Sequence, residues 1–234
     1  MSGEISSEPS QTMHAKSSES LRYGRIALLY DRALILFGFR RGVSRFLARV
    51  SLDLPPAPRL LDAGCGSGIV SFALLRRFPG AHIIAFDLDE RMLEVMWRRA
   101  LRRRIPFDAL DIAQGDLGLP ETLRGFTSNR PLRLAPASFD AIVVSAALEH
   151  VALEQSLRSL HRLLKPGGVL LDIAVRRGAT TRALAMLYDF EAYTIERLGA
   201  AFAAAGFSAP RIETLRPSEF PANLTRIALV SSKA

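Results

Sequence analysis

Asp62, Gly64, Gly66, Gly68, Asp87 and Asp116 are residues whose types and spacing could do chemistry together. The glycines stand in the run LLDAGCGSG, with Asp62 just before the first of them. Glycine lets a backbone take positive φ and approach a ligand closely, and the N–H groups opening the next helix then face that ligand. The spacing is G-x-G-x-G. A dinucleotide fingerprint needs a glycine where this chain has Ile69, and no Gly-Lys-Ser or Gly-Lys-Thr closes the turn as a phosphate loop requires. An acid beside the turn suits a cation better than a pyrophosphate, so Asp62 is placed to face an ammonium or a sulfonium. Asp87 follows about 20 residues past the glycines, where a carboxylate accepts both hydroxyls of a ribose. Leu88 can cover one face of an adenine, and Asp116 can accept a hydrogen bond from an exocyclic amine. Each acid alone reads as a loop residue, and Asp89 reads as a helix N-cap. Three acids at three successive strand ends around one glycine turn are harder to explain that way.

Those residues act together only if strands bring them to one edge of a sheet. Leu60-Leu61 opens a short buried strand ending at Asp62, and residues 69–78 read as a helix stopped by Pro79-Gly80. Residues 82–86 form an apolar run without alternation, as expected of a parallel strand covered on both faces. A helix over 90–102 and a weaker strand over 107–112 follow, then an insertion punctuated by Pro and Gly over 121–138. FDAIVVS (139–145) is a clear fourth strand. Leu153, Leu157, Leu160 and Leu164 recur at helical spacing until Lys165-Pro166-Gly167-Gly168 breaks the helix. A fifth strand is expected over 169–175 and a helix over 194–205, closed by Gly206. Strand-like runs over 211–215 and 226–230 have no helix between them, so they should pair antiparallel. The expected fold is α/β, a Rossmann-like three-layer sandwich around a mostly parallel sheet.

The 234 residues are 49% hydrophobic, enough for a substantial core. The single cysteine, Cys65, excludes an internal disulfide framework and fits a reducing, cytoplasmic setting. Residues 1–20 are rich in Ser and Glu and read as a disordered tail without a signal sequence. The apolar stretch 26–39 is too short for a membrane span and is broken by Asp31 and Arg32. Formal charge is +8, from 31 basic against 23 acidic residues. That balance attracts anionic surfaces, although solvated helix faces account for most of it. With 8% aromatic residues and no run mixing basic and aromatic side chains, the sequence argues against nucleic acid as a partner.

Taken in order, LLDAGCGSG, IIAFDLDERML, QGDLGLP, SFDAIVVSAALEHV and LLKPGGVLL resemble the motif set of class I S-adenosylmethionine-dependent methyltransferases. The resemblance implies S-adenosyl-L-methionine as cofactor and a seven-stranded sheet of order 3-2-1-4-5-7-6 with the last strand antiparallel. It also implies that Gly64, Gly66 and Gly68 hold the methionine part, Asp87 the ribose, and Asp116 with Leu117 the adenine. Ser145 and Ala146 would line the methionine side, and Cys65 would pack rather than react.

The chain's start, with Tyr30-Asp31 and then Phe37-Gly38-Phe39-Arg40-Arg41, is similar to small-molecule and quinone-precursor methyltransferases, in which this region folds over the donor. That implies three parts: a tail (1–20), a helical lid (21–54) presenting Tyr30 to the sulfonium, and the catalytic domain (55–234). The quinone branch carries a Leu-Arg-Asn-type turn where this chain has Leu148-Glu149-His150, so a benzoquinol acceptor lacks support. Ser145-Ala146-Ala147-Leu148 also lacks the Asn- or Asp-Pro-Pro-aromatic motif of base-amine methyltransferases. His150 is the candidate general base, since imidazole titrates near physiological pH, and its alternative role is to orient the loop. His82 and His161 read as structural.

The acceptor pocket is expected between the lid and residues 176–193, which favours a small, partly apolar molecule accepting at O, N or C. The basic lid can also rest on an anionic membrane. Two other readings stay open: a nucleic-acid or protein methyltransferase on the same core, and a donor-binding scaffold without catalysis. The acceptor and the oligomeric state are not legible in the sequence.

Overall fold

The computed structural model describes residues 38–178, 181 and 192–234. Its first helix, α1 (Phe39–Arg49), starts from Gly38, whose φ of 76° suits glycine. Phe39, Val43, Phe46 and Leu47 recur at helical spacing and are buried. The helix packs on α2 (Ile69–Arg77), which begins at the end of the glycine turn. Residues 39–49 of the expected lid are therefore built into the body of the protein, and residues 21–37 lie outside the described residues.

Strands β1 (Arg59–Ala63), β2 (His82–Asp87) and β3 (Leu110–Gln114) run parallel, with α2 and then α3 (Glu90–Arg102) connecting them. Asp89 caps α3 by accepting from the Arg91 N–H at 3.0 Å, as expected for an Asp ahead of a helical run. A hairpin of β4 (Thr122–Gly125) and β5 (Pro131–Arg133) then adds to the outer edge of β3. β6 (Phe139–Ser145) lies parallel to β1 on its other side, and α4 (Leu153–Leu163) leads into β7 (Leu164–Val175). Beyond α5 (Ile195–Ala204), β8 (Arg211–Thr214) and β9 (Arg226–Ser232) complete the sheet, with a short α6 (Ala222–Thr225) between them.

The sheet order is β5-β4-β3-β2-β1-β6-β7-β9-β8. β9 runs antiparallel to both β7 and β8. Without the hairpin, this is the expected seven-strand order with its antiparallel final strand. Leu61, Ile84, Phe86, Ile142 and Val144 join Leu157, Leu160 and Phe202 in one buried cluster. Each such side chain contributes about 1.5–3 kcal/mol of burial.

Three expectations are corrected. The 121–138 interruption carries the hairpin, so the described residues hold nine strands rather than seven. These strands are four and three residues long, and each places a single leucine, Leu123 or Leu132, between exposed residues, too short a run to show a strand's alternation. The third strand starts at Leu110, not 107; Phe107 is 76% exposed and lies 6.1 Å from the Trp97 ring. The fifth strand starts at Leu164, which pairs with Phe139 before the register shifts to Val169 opposite Ala141. The excess residues of Lys165-Pro166-Gly167-Gly168 are held by Gly167 N–H donating to the Lys233 carbonyl and Lys233 N–H to that of Gly168, each at 2.9 Å. A helix stop in the sequence thus folds as an irregular strand beginning.

Candidate functional site

The glycine turn joins the carboxyl end of β1 to α2 and is knitted to the end of β2. The N–H groups of Gly64 and Cys65 both donate to the Phe86 carbonyl at 2.9 Å. Gly64, Gly66 and Gly68 have φ values of 73°, 51° and 84°, a region that costs an L-residue about 1–2 kcal/mol. The three do different work. A Cβ on Gly64 would lie 2.6 Å from that of Ala147, and one on Gly68 would lie 2.8 Å from Met96 and Phe72. A Cβ on Gly66 would meet nothing within 4 Å. Gly64 and Gly68 therefore let the turn pack, whereas Gly66 faces open space.

Asp87 closes that turn from the β2 side. Its Oδ2 accepts the Gly66 N–H at 2.8 Å and its Oδ1 the Asp89 N–H at 2.9 Å. Burial raises its pKa against the lowering effect of those N–H groups. Leu88 beside it is 66% exposed, an apolar surface next to a carboxylate. Just past β3, the Gly115 N–H donates to the Asp87 carbonyl at 3.1 Å, which brings the next loop to the same edge. There Asp116 is exposed and its Oδ1 accepts the Gly118 N–H at 2.7 Å, while the Leu117 side chain joins the buried cluster.

Asp62 is wholly buried. Its Oδ2 accepts from both the N–H of Ser71, at 2.9 Å, and its hydroxyl, at 2.5 Å, which pins the first turn of α2 to β1. Its Oδ1 is buried without a hydrogen-bond partner. Burial, with the Asp87 charge adding to it, lifts the Asp62 pKa from 3.8 to about 7. Cys65 is buried with its Sγ 3.6 Å from the Met96 sulfur, and burial pushes its thiol pKa up, as befits a packing residue.

At the end of β6, Ser145 is half-buried and Ala146 takes a φ of 52°, rare for a residue with a Cβ. Ala147 then packs beneath Gly64. Residues Leu148–His150 form a 3₁₀ turn with Leu148 buried and His150 exposed. The turn is fastened by Glu149, whose Oε1 accepts the Val175 N–H at the end of β7 at 2.6 Å. Asp172, buried in β7, has its pKa raised well above the carboxylate range by burial and by Glu149.

The fold thus brings Asp62, Gly64, Gly66, Gly68, Asp87, Leu88, Asp116, Ser145 and His150 to the carboxyl ends of neighbouring strands. Tyr30 and the apolar run Leu184, Met186, Leu187, Tyr188 and Phe190 lie outside the described residues. His82 and His161 sit elsewhere: His82 pairs with Asp111 at 3.0 Å, and His161 meets the Phe207 ring edge-on. Ser71 carried no signal of its own, and Ala147 and Glu149 stood only in quoted motifs, their packing and bonding roles appearing through Gly64 and Val175, distant in the chain. Among the described residues no cluster of His, Cys, Asp and Glu could hold a metal ion. None of their helices is long and apolar enough to cross a membrane.

A doubly wound sheet with a glycine turn and an acid at the next strand end defines a nucleotide-type site at the switch in strand order. The methyltransferase-domain family model matches residues 61–170. The chain is 32% identical over 181 residues to the ubiquinone/menaquinone biosynthesis C-methyltransferase of Syntrophotalea carbinolica, covering 76% of this chain and 69% of that one. It is 33% identical over 159 residues to the malonyl-[acyl-carrier protein] O-methyltransferase of Dechloromonas aromatica, covering 68% of this chain but only about half, 51%, of that protein's length. The geranyl diphosphate C-methyltransferase of Streptomyces coelicolor, solved with Mg2+, geranyl diphosphate and S-adenosyl-L-homocysteine, shares the fold with a TM-score of 0.64 at 16% identity. That match covers 82% of this chain and 79% of that one. The chain belongs to the class I S-adenosylmethionine-dependent methyltransferases.

Proposed function

We propose that the protein transfers a methyl group from S-adenosyl-L-methionine to an O, N or C atom of a small, partly apolar acceptor. The observation that carries this reading is the Asp87 clamp: a half-buried carboxylate bonded to Gly66, beside the open space at Gly66 and the exposed face of Leu88. Asp87 would hold the ribose hydroxyls, Leu88 and Leu117 would border the adenine, and Asp116 would accept from its amine. Gly64, Gly66, Gly68 and Ser145 would border the methionine part. The buried Oδ1 of Asp62, lacking a partner, fits a cationic end of the donor better than an anion.

The donor supplies an activated methyl on a sulfonium, so the chain's task is alignment, which can account for several kcal/mol of a barrier. The turn at Leu148–His150 meets that task through Glu149, which fixes it to β7. His150, exposed on that turn, would take the proton when the acceptor is a hydroxyl or a carbon acid. Tyr30, in the basic amino-terminal segment, would be a second residue acting in the reaction. The partner is a small molecule, and contact of that basic segment with anionic membrane is a further element of the reading. A cytoplasmic setting accords with Cys65 as a free thiol.

The reading is tested by following labelled methyl from the donor into a panel of apolar hydroxy, amino and enol compounds. His150→Ala should lower turnover about 100-fold, the contribution of a positioned base, with donor affinity retained. Unchanged turnover with the preferred acceptor would remove the base role. An unlabelled panel, with donor bound, would favour the scaffold reading.

A further inference from the structure

A second concavity lies along the same sheet edge, beyond the glycine turn. A cavity of about 440 Å3 opens between the end of β7, the start of α5 and the β8–β9 pair. That volume falls in the range of small-molecule sites, about 300–1,000 Å3. Val175, Leu198, Ile212, Leu215 and Ile227 supply apolar wall. Three arginines, Arg176, Arg177 and Arg226, line it as well, against one acid, Glu196.

Arg226 makes the cavity chemically specific. The residue is 6% exposed, and its guanidinium lies over the Phe39 ring, 5.0 Å from the centroid. Among the described residues it gives one hydrogen bond, from Nη1 to the Thr225 carbonyl at 3.1 Å, and its buried Nε has no partner there. No carboxylate among the described residues pairs with Arg226, Arg176 or Arg177. A buried cation without a counter-charge is costly to keep, and an anion seated beside it relieves that cost.

The helix end at this cavity does not provide the charge. Thr194 Oγ accepts the Arg197 N–H at 3.1 Å, and the Glu196 carboxyl in the same turn has its pKa lowered by its own N–H and by the Thr194 hydroxyl. Thr194 also accepts the Leu198 N–H through its carbonyl at 3.0 Å, so this helix end is capped, and the positive side chains lining the cavity are the arginines. The cavity also adjoins the methyl-transfer site: Val175, part of its wall, donates its N–H to Glu149 of the turn that carries His150.

We propose that this cavity binds the acceptor, and that the acceptor is an amphiphilic anion, its apolar body against Leu198, Ile212 and Ile227 and its carboxylate or phosphate head at Arg226. The assignment of the ligand as acceptor rests on the methyl-transfer reading; the anion site itself does not. The head group's charge meets Arg226 first, with Arg176 and Arg177 at the exposed rim.

The test uses the full chain and displacement of the fluorescent anion anilinonaphthalene sulfonate by decanoate, decyl phosphate and decanol. Binding of S-adenosylhomocysteine is measured in parallel. One or both anions should displace the fluorophore at least about tenfold better than decanol, and which does so names the head group. Arg226→Gln and, at the exposed rim, Arg177→Gln should each weaken the preferred anion about tenfold while leaving S-adenosylhomocysteine affinity within about twofold. Arg177→Gln keeps the test valid if Arg226→Gln does not fold. Equal displacement by decanol, or anion affinity unchanged in Arg177→Gln, overturns the proposal. Loss confined to S-adenosylhomocysteine binding in the unmodified protein would instead sink the methyl-transfer reading and leave the anion site standing.

Discussion

Asp62 and Asp87 end adjacent strands, yet their surroundings set them to different tasks. Asp87 reaches the rim and shares its oxygens between Gly66 and Asp89, so it remains near the space a ribose would fill. Asp62 is buried beneath the turn, holding Ser71 through Oδ2 and leaving Oδ1 without a partner. With its pKa lifted from 3.8 to about 7, folded Asp62 keeps a proton that the unfolded chain has already released. Stability therefore falls as pH rises between those two values, by up to about 1.4 kcal/mol per pH unit, and the loss is complete above the upper one. Thermal melts of the ligand-free protein should drop between about pH 4 and pH 7, and Asp62→Asn should flatten that slope. Some slope persists in the variant, because Asp87 and Asp172 shift in the same direction. An unaltered slope in Asp62→Asn would place the titration elsewhere.

Among the elements, α1 is fixed by a carboxylate far along the chain. Arg49 donates from Nε to Glu219 Oε1 at 2.5 Å and from Nη2 to Oε2 at 3.0 Å and to the Thr214 carbonyl at 2.9 Å. Glu219 is 1% exposed and also accepts the Arg216 N–H at 2.6 Å. Arg49→Met would leave that carboxylate buried and short of its cation, at a cost of about 2–3 kcal/mol in denaturant unfolding. A cost below about 0.5 kcal/mol would mean that packing alone holds the helix. This contact also marks where sequence reading ends. The β1–α2–β2–α3 run was legible because apolar strands, a glycine turn and the Asp89 cap are all local signals. The β4–β5 hairpin was not, since each strand is only three or four residues long and has one inward leucine, Leu123 or Leu132, between exposed neighbours. Glu149 drew notice only as a neighbour of His150; its bond to Val175 exists only once β6 and β7 lie side by side.

Across the whole molecule, one sheet edge joins two chemistries: a turn shaped by Gly64, Gly66 and Asp87, and an arginine-lined cavity at β7, β8 and β9. The order of strands sets both, because it puts the glycine turn after β1 at the switch, where the donor would sit, and the antiparallel β9 brings Arg226 to the same edge. A ligand that binds only the folded form raises stability by about 2.7 kcal/mol at a hundredfold excess over its Kd, so S-adenosylhomocysteine should raise the melting temperature of the whole chain. The central claim, that Asp87 and the glycine turn hold the donor, is tested most directly by calorimetric titration of S-adenosylhomocysteine. Saturable binding of one molecule per chain is predicted, weakened about 10- to 100-fold in Asp87→Ala through the loss of charged hydrogen bonds worth about 1.5–3 kcal/mol. The same affinity in a folded Asp87→Ala, or no binding by the unmodified protein, would contradict it.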